Sequence, residues 1–257
     1  MRILRQLVDA VDRAEICVLA TVVAVRGSAP RHDAARLLLT GSGARTGTVG
    51  GGEVEARTLA VAEAMLTGPD GNQVIEVPVN CGGTVTVMLE KFAPPRQLLV
   101  IGAGHVGAAV ARVATHAGYR VTLASPTGAD RSHDLAGVAS LATANPAVLA
   151  EWKLPERTQV VVATGDAAAD GAWALAALAR PFAGVGVVGS RTKAEAIARA
   201  AAAAGIGAAR AAELRCPVGL DLGAVTPEEI AVAIVAELIR LDRAGAVPEG
   251  WRRASRG

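Results

Sequence analysis

The chain has 257 residues, is 51% hydrophobic with 2% aromatics, and carries a formal net charge of +2. That length and apolar content suit one large or two modest domains with cores of small aliphatic side chains. A charge so near zero gives no support to nucleic-acid binding, and no apolar run is long enough to span a bilayer.

The elements read as follows along the chain. Ile3, Leu4, Leu7, Val8 and Val11 have helical spacing, which predicts a helix over 2–13. Residues 16–25 are nearly all apolar and β-rich, so a buried strand is expected there. Arg26-Gly27-Ser28-Ala29-Pro30 is a turn, and 36–40 a short strand. Three glycines follow in Gly50-Gly51-Gly52-Glu53-Val54-Glu55, then a helix over 53–66 stopped by Gly68-Pro69. Glycines in a row need positive φ or bare backbone close to something. Their place before a helix makes an anion-ready turn. Strands over 73–77 and 84–89 are joined through a turn containing Cys81-Gly82-Gly83.

Pro94-Pro95 is the expected linker between domains at 1–93 and 96–257. Beyond it strands and helices alternate: strands over 97–101, 120–124, 138–142, 159–163 and 185–188, helices to 117 and over 168–179 and 192–204. Such alternation predicts a doubly wound parallel sheet. The fold class is therefore α/β, a small mixed α+β domain followed by a Rossmann-like one. A last helix over 227–242 opens with Thr226 as N-cap, Pro227 at N1 and two acids in its first turn.

Gly102-x-Gly104-x-x-Gly107 follows a strand and opens a helix, the context a dinucleotide turn requires. The acid that usually binds the ribose at the end of the second strand is missing; Ser125 stands near that position. Three readings remain open: a preference for NADP, another phosphate-bearing ligand, or glycines that serve only strand–helix packing.

Together these segments resemble the XdhC/CoxI family. Ala20-Thr21-Val22-Val23, the Arg26 to Pro30 turn, Gly47-Thr48-Val49-Gly50-Gly51-Gly52 with Val54-Glu55, and Cys81-Gly82-Gly83 are similar to its N-terminal domain. The Gly102 turn, Val187-Val188-Gly189-Ser190-Arg191, and Arg215-Cys216-Pro217-Val218-Gly219-Leu220-Asp221 with the Thr226 helix start are similar to its C-terminal domain. The resemblance implies a maturation factor that binds molybdenum cofactor (molybdopterin). Such a factor protects the cofactor while a cysteine desulfurase supplies its sulfur and assists insertion into a xanthine-dehydrogenase-type molybdoenzyme client. It further implies a homodimer and no turnover chemistry. The chain departs from the family pattern at Ser125, at Gly165-Asp166-Ala167-Ala168-Ala169-Asp170 where histidines are usual, and at His32-Asp33-Ala34-Ala35.

A pterin with a phosphate and a dithiolene-bound metal needs N–H donors, pterin-edge partners and a soft ligand. The expected contacts in the first domain are Arg26, Ser28, Gly50, Gly51, Gly52, Glu55, Cys81 and Gly82, with the Cys81 thiolate as the metal ligand. In the second domain they are Gly102, Gly104, Gly107, Ser190, Arg191 and Cys216. Each has a plainer explanation: Glu53 and Glu55 complement a helix dipole, Ser190 caps a helix, and the cysteines fill space. Asp166 and Asp170, in an Ala run, read as solvated. No catalytic triad or paired carboxylates stand out. Three unpaired-looking cysteines and a charged N-terminal stretch suggest a reduced, cytoplasmic protein. The alternatives are an NAD(P)-dependent oxidoreductase and a silent scaffold for the client.

Overall fold

The computed structural model describes residues 2–27, 34–68, 71–79, 82–125 and 135–251. The chain divides into two compact units, Met1–Pro94 and Pro95–Gly257.

The N-terminal unit runs α1 (Arg2–Asp12), β1 (Cys17–Arg26), β2 (Arg36–Thr40), β3 (Arg45–Gly47), α2 (Gly52–Thr67), β4 (Gln73–Val79) and β5 (Gly83–Phe92). Its five strands form an antiparallel sheet in the order β3-β2-β1-β5-β4. Alternate side chains point to opposite faces, so each strand supplies two layers. Val18, Ala20 and Val22 join Leu37, Leu39, Val87 and Leu89 under Val54, Ala62 and Met65 of α2. Cys17, Leu19 and Leu38 face the other way, onto Ala10, Ile3 and Leu7 of α1. Glu15 ties the α1–β1 connection to the β2–β3 turn. Its Oε1 accepts from Ser42 Oγ at 2.6 Å and Ser42 N at 3.1 Å, and the hydroxyl bond leads in holding the carboxyl down at about 2.

The sequence predicts a fully buried strand at 16–25, but β1 is buried mainly in its first half, and Val23 is exposed. The β1–β2 ladder ends at Thr21↔Arg36, so beyond it the ladder continues only with β5. β3 went unforeseen because three residues are too few to show a period.

The C-terminal unit runs β6 (Gln97–Ile101), α3 (His105–His116), β7 (Arg120–Ala124), β8 (Val138–Leu141), β9 (Thr158–Val162), α4 (Ala167–Leu178), β10 (Gly184–Val187), α5 (Arg191–Ala203), α6 (Ala208–Ala212), β11 (Leu214–Arg215) and α7 (Pro227–Ala244). All six strands are parallel, in the order β11-β10-β9-β6-β7-β8. Leu98, Val100, Val121 and Val161 pack under α3 and α7, while Leu99, Ile101, Val160 and Val162 pack under α4 and α5. This is the doubly wound arrangement the alternation predicts, with a Rossmann strand order. α6 and β11 are additions too short for sequence periodicity to show. The order reverses between β6 and β9, which opens a crevice at their carboxyl ends. No helix among the described residues is long and apolar enough to cross a membrane.

At the amino edge of this sheet a polar network fastens α7. Asp242 takes Arg96 Nη1 at 3.1 Å, Gln159 Nε2 at 3.1 Å and the Tyr119 hydroxyl. Arg215 bonds Gln159 Oε1 at 2.8 Å and pairs with Glu237 at 3.0 Å, and Glu237 also accepts from Gly219 N–H. Burial, then the Asp242 bond, pushes the Tyr119 hydroxyl well above its ordinary pKa. Buried charges persist because each is paired.

The closest packing is backbone on backbone. A Cβ built on Gly107 would overlap the carbonyl oxygen of Gly102, and one on Gly102 (φ +113°) would overlap the carbonyl of Ala163. Gly107→Ala must push α3 off β6, and should cost about 1–3 kcal/mol, the usual range for overpacking, measured by urea denaturation of the whole chain.

Candidate functional site

In the N-terminal unit the three consecutive glycines all take positive φ: Gly50 +119°, Gly51 +72° and Gly52 +54°. Nothing lies within 4 Å of a Cβ built on Gly51 or Gly52. The left-handed backbone therefore demands glycine there, and crowding does not. Buried Val49 and Val54 anchor the turn on both sides. Gly51 is the N-cap of α2 and gives no side-chain cap. Glu55 partly replaces that cap. Its Oε2 accepts from Gly51 N at 3.3 Å and from the Thr48 hydroxyl, while Thr48 Oγ1 accepts from Gly50 N at 3.1 Å. One carboxylate oxygen of Glu55 is thus engaged in its own helix start, the plainer of its two explanations.

Gly27 (φ +74°) ends β1 against the β4–β5 turn; a Cβ there would meet Gly82 O and Gly83 Cα, each at 3.0 Å. Arg26 pairs with Thr84 in the same ladder and is exposed. β1 and β3 end where β2 and β5 begin, so the glycine triplet, Arg26, Gly27 and Gly82 share one end of the sheet. Ser28 and Cys81 lie outside the described residues. Among the described residues no group of three or more His, Cys, Asp or Glu could hold a metal ion.

In the C-terminal unit Gly102, Gly104 and Gly107 have different reasons to be glycine. Gly102 and Gly107 are dictated by close backbone approach, whereas Gly104 has φ −70° and nothing within 4 Å of a built Cβ. It is the N-cap of α3 without a side-chain cap, so the first-turn N–H groups start bare. His105 is the first residue of that helix. Ser125 closes β7, buried, with its N–H donating to Leu141 O at 3.0 Å.

Across the crevice, the expectation of a solvated Asp170 fails. Asp170 is fully buried; its Oδ1 accepts from Thr164 N at 3.0 Å and Thr164 Oγ1 at 2.7 Å, and its Oδ2 pairs with Lys193 Nζ at 2.6 Å. Lys193 also donates to Val188 O at 3.1 Å. This pair joins α4 to α5 and pins the 163–166 loop against Gly102. Thr164 and Lys193 went unnoticed in the sequence because their partner is on a separate element and no local spacing links them. Asp166 caps α4, accepting from Ala169 N at 2.7 Å. Ser190 caps α5, accepting from Lys193 N at 3.3 Å, while Arg191 is exposed and pairs with Glu195 at 3.5 Å.

Cys216 lies beside this pair and donates its thiol to Ser190 O at 3.5 Å. Burial pushes that thiol up to about 11, outweighing the nearby Lys193 charge, so it is protonated at neutral pH. Between α4 and α5 an apolar groove of about 630 Å³ is lined by Ala168, Gly171, Ala172, Ser190, Lys193 and Ile197. Structurally, the Asp170 pair is the costly element of this edge. Asp170→Ala frees Thr164 and strands the lysine, and should cost about 3 kcal/mol by analogy with other broken buried pairs, read by urea denaturation.

Two family models match the chain: the XdhC Rossmann domain over residues 98–238, and the XdhC and CoxI family over residues 10–76. Among curated proteins it is 29% identical over 235 residues to the uncharacterized protein YqeB of Escherichia coli, covering 87% of this chain and 43% of that one. It is 34% identical over 107 residues to the molybdenum cofactor insertion chaperone PaoD of Escherichia coli, covering 38% of this chain and 34% of that one. The chain thus spans less than half the length of either curated relative. A crystal structure named a xanthine dehydrogenase, from Bacillus halodurans, superposes with a TM-score of 0.51 at 18% identity, over 96% of this chain and 98% of that one, a likeness of fold. By the match of both models, one to each unit, the chain belongs to the XdhC and CoxI family.

Proposed function

We propose that the chain is a maturation factor that binds molybdenum cofactor and assists its sulfuration and insertion into a xanthine-dehydrogenase-type molybdoenzyme. Family membership and the similarity to a molybdenum cofactor insertion chaperone support this reading. The observation that carries it is Gly104: a glycine that neither φ nor crowding requires, at a helix start without a side-chain cap. Such a position suits close approach by a phosphate-bearing group, with the bare N–H groups and the helix dipole as its partners. The residues present therefore fit the phosphate of the cofactor.

The proposed contacts in this unit are Gly102, Gly104 and Gly107, with Ser190, Arg191 and Cys216 along the same carboxyl edge. Gly102 and Gly107 shape the turn, and Gly104 leaves it open. In the N-terminal unit the proposed contacts are Arg26, Ser28, the glycines at 50–52, Glu55, Cys81 and Gly82. There Arg26 supplies charge, the glycines supply N–H donors, and Glu55 keeps Oε1 for a pterin N–H while Oε2 stays with Thr48 and Gly51. Cys81 supplies the soft ligand. When bound, the cofactor supplies the metal and the site at which sulfur is installed. The cysteine desulfurase as sulfur donor, a homodimeric state and a cytoplasmic setting belong to the same proposal. The NAD(P)-dependent oxidoreductase is not favoured: both family models describe XdhC proteins, and Ser125 stands where a ribose-binding acid belongs.

The test is to purify the whole chain from cells that make the cofactor, oxidise it and read pterin fluorescence. Near-stoichiometric pterin is expected, reduced in Gly51→Val and in Cys81→Ala while both stay folded by circular dichroism. Bound nicotinamide in place of pterin contradicts the proposal, and full pterin retention by Cys81→Ala contradicts the ligand role of that cysteine.

A further inference from the structure

Among the described residues, every large apolar side chain exposed on the C-terminal unit lies on α7 or beside it: Leu222, Val225, Val232, Ile239 and Trp251. Leu222 and Val225 precede the helix. Trp251 is drawn alongside by its carbonyl, which accepts from Asp221 N at 3.0 Å. Exposed apolar residues scattered singly need no explanation, but a concentration on one element marks an interaction surface.

The helical period sorts α7 into two faces. Ala231, Ala233, Ile234, Val235, Glu237 and Leu238 are buried against the unit. Glu228, Val232, Ala236, Ile239 and Arg243 fall within one outward arc, with Arg240 at its border. Val232 is 50% and Ile239 41% exposed at the centre of this arc. Glu228 is at its start, and Arg240 and Arg243 are at its end; all three are exposed, with no ion pair or side-chain hydrogen bond among the described residues.

This pattern is complementary to itself when reversed. Laid antiparallel on a second α7, Val232 of one copy meets Ile239 of the other, Ala236 sits near the axis, and Glu228 meets Arg243. We propose, resting on the homodimeric state put forward above, that this face of α7 is its isologous interface, occupied by the same face of a second copy of this chain. The charges at 228 and 243 also complement the dipole of their own helix. A charge exchange separates the two explanations, because it opposes the dipole at both ends yet keeps the intermolecular pairs.

The experiment is light scattering on the whole chain, with circular dichroism as the check on folding. The unaltered chain is expected to have the mass of two chains, and Val232→Asp and Ile239→Asp the mass of one. Val232→Ser serves as the milder variant if either aspartate variant unfolds, and it should weaken association in the same direction. Glu228→Arg alone and Arg243→Glu alone should each dissociate the dimer, and Glu228→Arg with Arg243→Glu should restore it. A monomeric unaltered chain overturns both the homodimeric state and this interface, whereas a dimer that survives Ile239→Asp overturns the α7 face alone. A doubly exchanged variant that stays monomeric overturns the antiparallel pairing.

Discussion

The C-terminal unit depends on one steric constraint, the absence of a side chain at Gly107 and Gly102. Without Cβ atoms, α3 lies directly on the turn after β6, and that turn lies directly on the carbonyl of Ala163 after β9. The ladder already fixes the spacing of β6 and β9, and these contacts fix the two turns that leave their carboxyl ends. Asp170 completes the arrangement from the far side. It gathers both polar groups of Thr164 and the ammonium of Lys193, so the loop facing Gly102 is fixed by a charge with no access to water. Desolvating that carboxylate is costly, and its polar contacts offset the cost. A rigid edge of this kind accords with the carrier role proposed for the chain, since preorganised donors lower the cost of binding.

The N-terminal unit reaches a bare backbone by a different route. Its glycine triplet is not squeezed; it is left-handed at three successive residues, a conformation that side chains disfavour. Val49 and Val54 hold the turn to the core, and Thr48 with Glu55 secures its first donors. The backbone of Gly50 and Gly52 remains exposed beside the side chain of Glu53. In both units a turn at a helix start thus leaves main chain exposed, beside the exposed side chains of Arg26 and Arg191.

Much of this was legible in the sequence where a local rule applied. Alternating apolar segments gave the parallel sheet, Thr226-Pro227-Glu228-Glu229 the start of α7, and the glycine triplet its positive φ. Thr226 and Glu229 form the reciprocal cap that this spacing implies. The rest was hidden for identifiable reasons. β3 and β11 are too short to show a period. Asp170 looked solvated because its lysine lies on the next helix, 23 residues away. The three residues before it are alanines that say nothing about burial. The self-complementary face of α7 required knowing which side of an apolar helix the sheet leaves uncovered.

The central claim is that Gly104 is glycine for a ligand and not for the fold. Gly104→Ala tests it directly, because its backbone angles and surroundings accept a methyl group. The measurement is the paired reading of urea stability and pterin content on the same preparation of the whole chain. The expected result is stability within about 0.5 kcal/mol of the unaltered chain, the usual range for an unstrained surface change, with loss of most of the bound pterin. Full pterin content at unchanged stability would contradict it.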